Sequence, residues 1–188
     1  MIRADVEVTI ENKGDLEHLI KTFVKLSRAE VHVGMFAELC PEKTLIAAWV
    51  NEFGAVIPKT PKMRAFLAAM ARELGVTLDP TKGHGNVIVI PPRPWLRRAF
   101  DTHAGKIAAF VEDILKTAFA APSDRIPAET ILFAIGEKAV QVVRTTMDEV
   151  SEPPLHPLTV ARKGHDNPLI HTGTMRRMVA HKEVIRGA

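Results

Sequence analysis

Between Val87 and Leu96 the chain reads Val-Ile-Val-Ile-Pro-Pro-Arg-Pro-Trp-Leu, and prolines 91, 92 and 94 constrain the fold more than any other feature. Each proline holds φ at about −65° and removes a backbone donor, so the β-branched strand must stop at Ile90. The next element then starts at a defined angle, because a first helical turn has no hydrogen bond for proline to break. The longest regular stretch of the chain begins there. Trp95, Leu96 and Phe100 open it, and Ile107, Phe110, Val111, Ile114, Leu115 and Phe119 recur at helical spacing.

The remaining elements fall on either side of this junction. Residues 4–10 alternate between polar and apolar, the period of a half-buried strand, until Asn12-Lys13-Gly14 breaks it. Leu16, Leu19, Ile20, Phe23 and Val24 then form one stripe of an amphipathic helix, with Asp15 near its positive end. Glu30 to Phe36 predicts a short strand interrupted at Gly34. Pro41 to Thr44 opens a second helix that buries Leu45, Ala48 and Trp49, with Phe53 at the margin and Gly54 as C-cap.

Thr60-Pro61 starts a third helix, with stripe Phe66, Leu67, Met70 and Leu74, and residues 79–86 form a loop. Beyond the break at 120–123, Leu132, Ile135, Ala139, Val142, Val143 and Val150 mark another long helix, predicted to pack antiparallel to its predecessor. Residues 151–168 are proline-rich and irregular. After the turn His171-Thr172-Gly173, the pattern over 175–186 fits either strand or helix, and the reading taken is a short helical turn leading into a final strand ending near Ile185. The expectation is a single domain over 1–188, with 59–91 as an insertion carrying its own helix and strand.

Composition excludes several classes. Of 188 residues, 46% are hydrophobic and 25% charged, the balance of a globular chain with a real core. Cys40 is the only cysteine, which rules out an intramolecular disulfide and fits a reducing compartment. No apolar run approaches the roughly 20 residues that cross a bilayer, and the first residues lack a signal-peptide layout. The expectation is therefore a protein retained in the cell that makes it, with no membrane partner.

The net charge of +3 arises in the second half, where the segment from Leu155 carries 6 basic side chains against Asp166 and Glu183. That excess could meet nucleic acid or an acidic protein surface, or be a solvated face. Tyrosine is absent and aromatics make up only 5%, which argues against a base-stacking platform. Trp49 and Trp95 sit inside apolar patterns and are read as core.

Catalytic signatures are missing. No glycine-rich phosphate loop precedes a helix, and Gly83-His84-Gly85 precedes a strand instead. There is no Gly-x-Ser-x-Gly elbow, and Cys40 has no cue for a base partner. His156, His165, Asp166 and His171 are the strongest metal candidates, the sole basis for a metal-dependent hydrolase. The gap through Pro168 has no preferred ligand geometry, so loop histidines at a subunit contact are the plainer reading. Glu112-Asp113 and Asp148-Glu149 read as solvated helix faces. The expectation is no enzyme, no cofactor and no metal.

Two segments together carry a resemblance. The first is Trp49-Val50-Asn51-Glu52-Phe53-Gly54 with Ile57-Pro58, answered by Ile90-Pro91-Pro92-Arg93-Pro94-Trp95-Leu96-Arg97-Arg98-Ala99-Phe100-Asp101. The second is Pro168-Leu169-Ile170-His171-Thr172-Gly173-Thr174-Met175-Arg176. In this order they resemble the tail-component and virion-morphogenesis (neck, tail-completion) families of tailed bacteriophages, over roughly residues 31–58 and 86–186. His171 stands where those families usually have Asp, which removes a local cap for Thr172 and Gly173, and Met175 stands where they have Leu.

The resemblance implies an α+β fold, a small, mostly antiparallel sheet packed against long amphipathic helices. It also implies assembly into a hexameric ring at the head–tail junction of a virion, made in the host cytoplasm. Partners would be copies of itself, connector or neck proteins, and tail-tube or tail-terminator proteins, with non-specific DNA contact in the channel. Arg93, Trp95, Arg97, Arg98, His171, Arg176 and Arg177 are the subunit-interface candidates; Arg93 and Arg97 fall on one face that could take carboxylates bidentately. The competing reading is a basic nucleic-acid-binding accessory protein, resting on segment 155–188.

Overall fold

The computed structural model of the chain describes residues 13–77, 85–120 and 125–186. Among them the element order is α1 (Lys13–Ser27), β1 (Ala29–Gly34), α2 (Glu42–Phe53), β2 (Ala55–Pro58), α3 (Pro61–Glu73), β3 (Val87–Ile90), α4 (Leu96–Ala120), α5 (Ala128–Glu149), α6 (Pro157–Lys163), α7 (Thr174–Arg177) and β4 (Ala180–Ile185). The architecture is α+β and mostly helical. The strand expected over 4–10 lies outside the described residues, as does most of the 79–86 loop.

The described strands make two separate two-stranded antiparallel sheets rather than one. β1 pairs with β4 from Ala29↔Ile185 to Gly34↔Ala180. β2 pairs with β3 from Ala55↔Ile90 to Pro58↔Val87, and Pro91 ends this ladder as its missing donor requires. Helix α3 starts where its sequence predicts: Thr60 Oγ1 accepts from Met63 N at 3.2 Å to cap it, with Pro61 in the first turn.

By packing, the chain divides into two compact units: Met1–Phe36 with Arg98–Arg144 and Val179–Ala188, and Ala37–Arg97 with Thr145–Met178. In the first unit the core is built on α5, where Ile131, Val140 and Val143 are buried together with Val179. Gly136 of α5 is also buried, and the His181 ring of β4 occupies the space that a side chain at 136 would need. In the second unit Ala48, Trp95, Met147, Val150, Leu158 and Leu169 are buried.

Helices α4 and α5 follow one another, as their apolar periodicity predicts. Only Ala99 and Ala118 of α4 are fully buried, while its Ile107, Phe110, Ile114 and Leu115 are half-buried. The two helices do meet at Lys138, whose Nζ lies 5.5 Å from the Phe110 ring centroid.

Candidate functional site: a locked junction and two exposed apolar stripes

The two parts of the first motif, distant in sequence, are one hydrogen-bonded unit. Glu52, in the last turn of α2, is buried at 6% exposure. Its Oε2 accepts from Trp95 N at 2.8 Å and Leu96 N at 2.9 Å, and its Oε1 from Arg97 N at 3.1 Å. These are orphan donors at the start of α4, and a carboxylate there also meets the positive end of the helix dipole.

Around this carboxylate the backbone closes tightly. Arg93 N donates to Asn51 O at 2.6 Å, and Trp95 Nε1 donates to Ala48 O at 3.2 Å. Gly54 caps α2 at φ 78°, ψ 170°, and a Cβ there would sit 2.9 Å from Ile90 O. Only glycine enters that backbone region without strain. Asn51-Glu52-Phe53-Gly54 therefore does more than end a helix, since it anchors the start of another.

The later motif is held in a similar way. Asn167 Oδ1 accepts from both Leu169 N and Ile170 N at 3.0 Å. Arg176 grips Asp148 bidentately, Nε to Oδ1 at 2.8 Å and Nη2 to Oδ2 at 2.9 Å, and Arg177 Nη1 donates to Thr172 O at 3.0 Å. The Thr172 and Thr174 hydroxyls are 2.8 Å apart. With His171 exposed and no carboxylate at that position, Asn167 caps the neighbouring N–H groups from upstream.

The interface candidates separate into two sets. Arg93 and Trp95 are buried at 4% and 3% exposure and face their own unit. Arg93 Nε donates to Pro153 O at 2.6 Å and Nη2 to Pro154 O at 3.0 Å, so its fork is occupied by backbone carbonyls. Burial lowers its pKa. Arg93 and Arg97 thus do not form a shared outward face. Arg97, Arg98, His171 and Arg177 are exposed, and Arg176 is half-buried against Asp148.

Trp49 departs from its reading as core, being 61% exposed. The reason is helical geometry. Ala48 and Glu52 must turn inward to serve the junction, and Trp49 is rotated about 100° from Ala48. It stacks in a tilted geometry with Phe53 at 5.5 Å, and the Arg97 guanidinium carbon lies 5.8 Å from the Phe53 centroid. Ile46 joins them in an exposed apolar stripe along α2.

Helix α1 is inverted relative to its pattern. Its buried residues are Asp15 and Thr22, while Leu16, Ile20, Phe23 and Val24 are exposed. The inward polar face is held by specific partners, Arg125 Nη2 to Asp15 Oδ1 at 3.3 Å and His18 Nε2 with Ile126 O at 3.3 Å, and the exposed Lys25 Nζ donates to Glu129 Oε1 at 2.7 Å at the surface. Phe23 is 64% exposed and Ile20 54%. The predicted stripe exists and points to solvent.

Sequence reasoning passed over His181. Its buried ring packs edge-on to Phe133 at 5.1 Å, with Nε2 2.9 Å from Glu137 Oε1 and Nδ1 3.0 Å from Glu183 Oε1. Gly136 within an apolar helix was the available signal for such a close approach. His156, a metal candidate, caps α6 by accepting from Leu158 N at 3.2 Å. Among the described residues no three His, Cys, Asp or Glu side chains converge as ligands.

The basic C-terminal segment is largely engaged at home. Lys163 Nζ donates to Asn167 O at 2.6 Å, Lys182 lies 4.5 Å from the Phe36 centroid, and Arg186 pairs with Glu30. Burial, then the Arg93 charge, lowers the Lys163 pKa. No described helix is long and apolar enough to cross a membrane. Comparison of the chain with protein-family models, curated proteins and solved structures finds no match.

Proposed function

We propose that the chain is a structural virion protein of a tailed phage, a neck or tail-completion subunit that works in a ring at the head–tail junction and catalyses nothing. The phage assignment rests on the ordered motif set. Those same residues build the Glu52 junction and the 167–177 turn, which suits a part whose task is to hold a shape.

The observation that carries the assembly role is the outward display of large apolar side chains on α1 and α2. Scattered exposed apolar residues need no explanation, but contiguous stripes on two helices mark surfaces that meet a partner. A hexameric ring, and contacts with connector, tail-tube or terminator proteins, belong to the same proposal.

Deleting the gene from the phage that carries it and imaging the progeny tests the reading. Separate heads and tails are expected, with joining restored when the protein is supplied in trans. Joined, infectious particles from the deletion would overturn it.

A further inference from the structure

We infer that the ring closes by α1 of one copy packing antiparallel on α2 of the next. This rests on the ring reading and says which surfaces form the contact. The α1 stripe (Leu16, Ile20, Phe23, Val24) and the α2 stripe (Ile46, Trp49, Phe53) are different surfaces of one chain. A contact between two different surfaces is head-to-tail, the kind that generates rings when its rotation closes.

Charge and spacing select the direction. Glu17 and Arg28 lie on one edge of the α1 stripe, eleven residues apart, the latter just past the helix end. On α2, Glu42 and Phe53 are also eleven residues apart, and the exposed Arg97 lies over Phe53. At a rise of about 1.5 Å per residue, both spans are about 16 Å. Antiparallel docking sets Glu17 beside Arg97 and Arg28 beside Glu42, and opposes the two helix dipoles. It also lays Val24 over Ile46, Ile20 over Trp49 and Leu16 over Phe53. Parallel docking would bring Arg28 against Arg97, two like charges.

The experiment uses the full chain with Ile20→Asp or Trp49→Asp, both at exposed positions, and circular dichroism confirming that each folds. Mass is read by light scattering across a concentration series. Wild type should form a discrete oligomer and each variant a monomer. An equimolar mixture of the two should give a one-to-one dimer, because each retains the face the other lacks. Arg28→Glu should weaken assembly at least tenfold in concentration midpoint, with Glu42→Arg in the same chain restoring it.

A wild type that stays monomeric at every concentration overturns the inference, whether the stripes are covered by another protein or within the chain. A wild-type oligomer that both variants preserve, or a mixture that stays monomeric, overturns the α1–α2 pairing and leaves the ring reading standing. If the pairing holds but purified particles lack the protein, the neck assignment falls and the pairing stands.

Discussion

Glu52 Oε2 lies 2.8 Å from the backbone nitrogen of Trp95, and the same carboxylate takes the next two N–H groups of the chain. One side chain thus satisfies three donors at the start of α4 while holding α2 to it. Removing it leaves those donors unpaired beside a buried indole. Glu52→Ala should cost about 2–4 kcal/mol, and Glu52→Gln about 1–2 kcal/mol because one amide oxygen still accepts. Urea unfolding of the two variants checks the order; equal and negligible losses would mean that water replaces the carboxylate.

Gly54 and Gly164 share φ 78° but not their surroundings. A Cβ at 54 meets Ile90 O at 2.9 Å and Pro92 Cδ at 3.0 Å, and ψ 170° is a glycine-only region. At 164, ψ is 5° and nothing lies within 4 Å. Gly54→Ala should therefore cost about 3 kcal/mol or more and Gly164→Ala about 1 kcal/mol, the ordinary left-handed penalty. Thermal melts of the pair separate strain with contact from strain alone.

Much of this fold is readable from the sequence. The proline-stopped strand, the Gly54 cap and the Thr60-Pro61 helix start are dictated by local chemistry, whereas the pattern over 175–186 fits strand or helix and the pairing of β4 with β1 decides it. What pattern alone cannot see is which face a partner claims. The α1 periodicity is plain, yet Asp15 and His18 find Arg125 and Ile126, more than a hundred positions away, and turn the polar face inward. Trp49 fails for a related reason, since Glu52 sets the rotation of α2. For the candidate surface, the motif segments are legible, but the burial of Arg93 and Trp95 depends on carbonyls and packing that spacing does not reveal.

Arg93 tests whether a buried fork is needed in place of a charge. Its two bonds run to adjacent carbonyls, Pro153 O and Pro154 O, in a proline-rich stretch. A lysine ammonium reaches one of them and is more strongly hydrated, so it loses more on burial. Arg93→Lys should destabilise by about 1–3 kcal/mol, read as a lower urea midpoint at unchanged slope. Full stability in the variant would show that these bonds add nothing net.

The Glu30 carboxyl on β1 titrates below the ordinary glutamate range. The His32 hydrogen bond, Nε2 to Oε2 at 3.1 Å, is the largest cause; burial opposes it, and the Arg186 and His32 charges add to it. A depressed folded pKa stabilises above the unfolded value, and that contribution is lost as pH falls through the folded value. Solvent screens the carboxyl, whose side chain is 42% exposed, so the effect on stability is small and the titration itself is the useful readout. Carboxyl carbon NMR should show a low Glu30 midpoint that rises towards normal in His32→Ala. An unmoved midpoint would assign the shift elsewhere.

Gly136 should give a sign reversal. Alanine is favoured over glycine inside a helix by about 1 kcal/mol, so an open site would gain stability from Gly136→Ala. Here the new Cβ would collide with the His181 ring, which Phe133, Glu137 and Glu183 leave little room to move. Displacing that ring should cost about 2–3 kcal/mol, more than the helix gain, and leave the single variant less stable than wild type. In a His181→Ala background the obstacle is gone, and Gly136→Ala should then stabilise. The cycle of four melting temperatures reads the coupling directly. If alanine at 136 stabilises both backgrounds, the ring yields without cost and β4 is not keyed to α5 at this glycine.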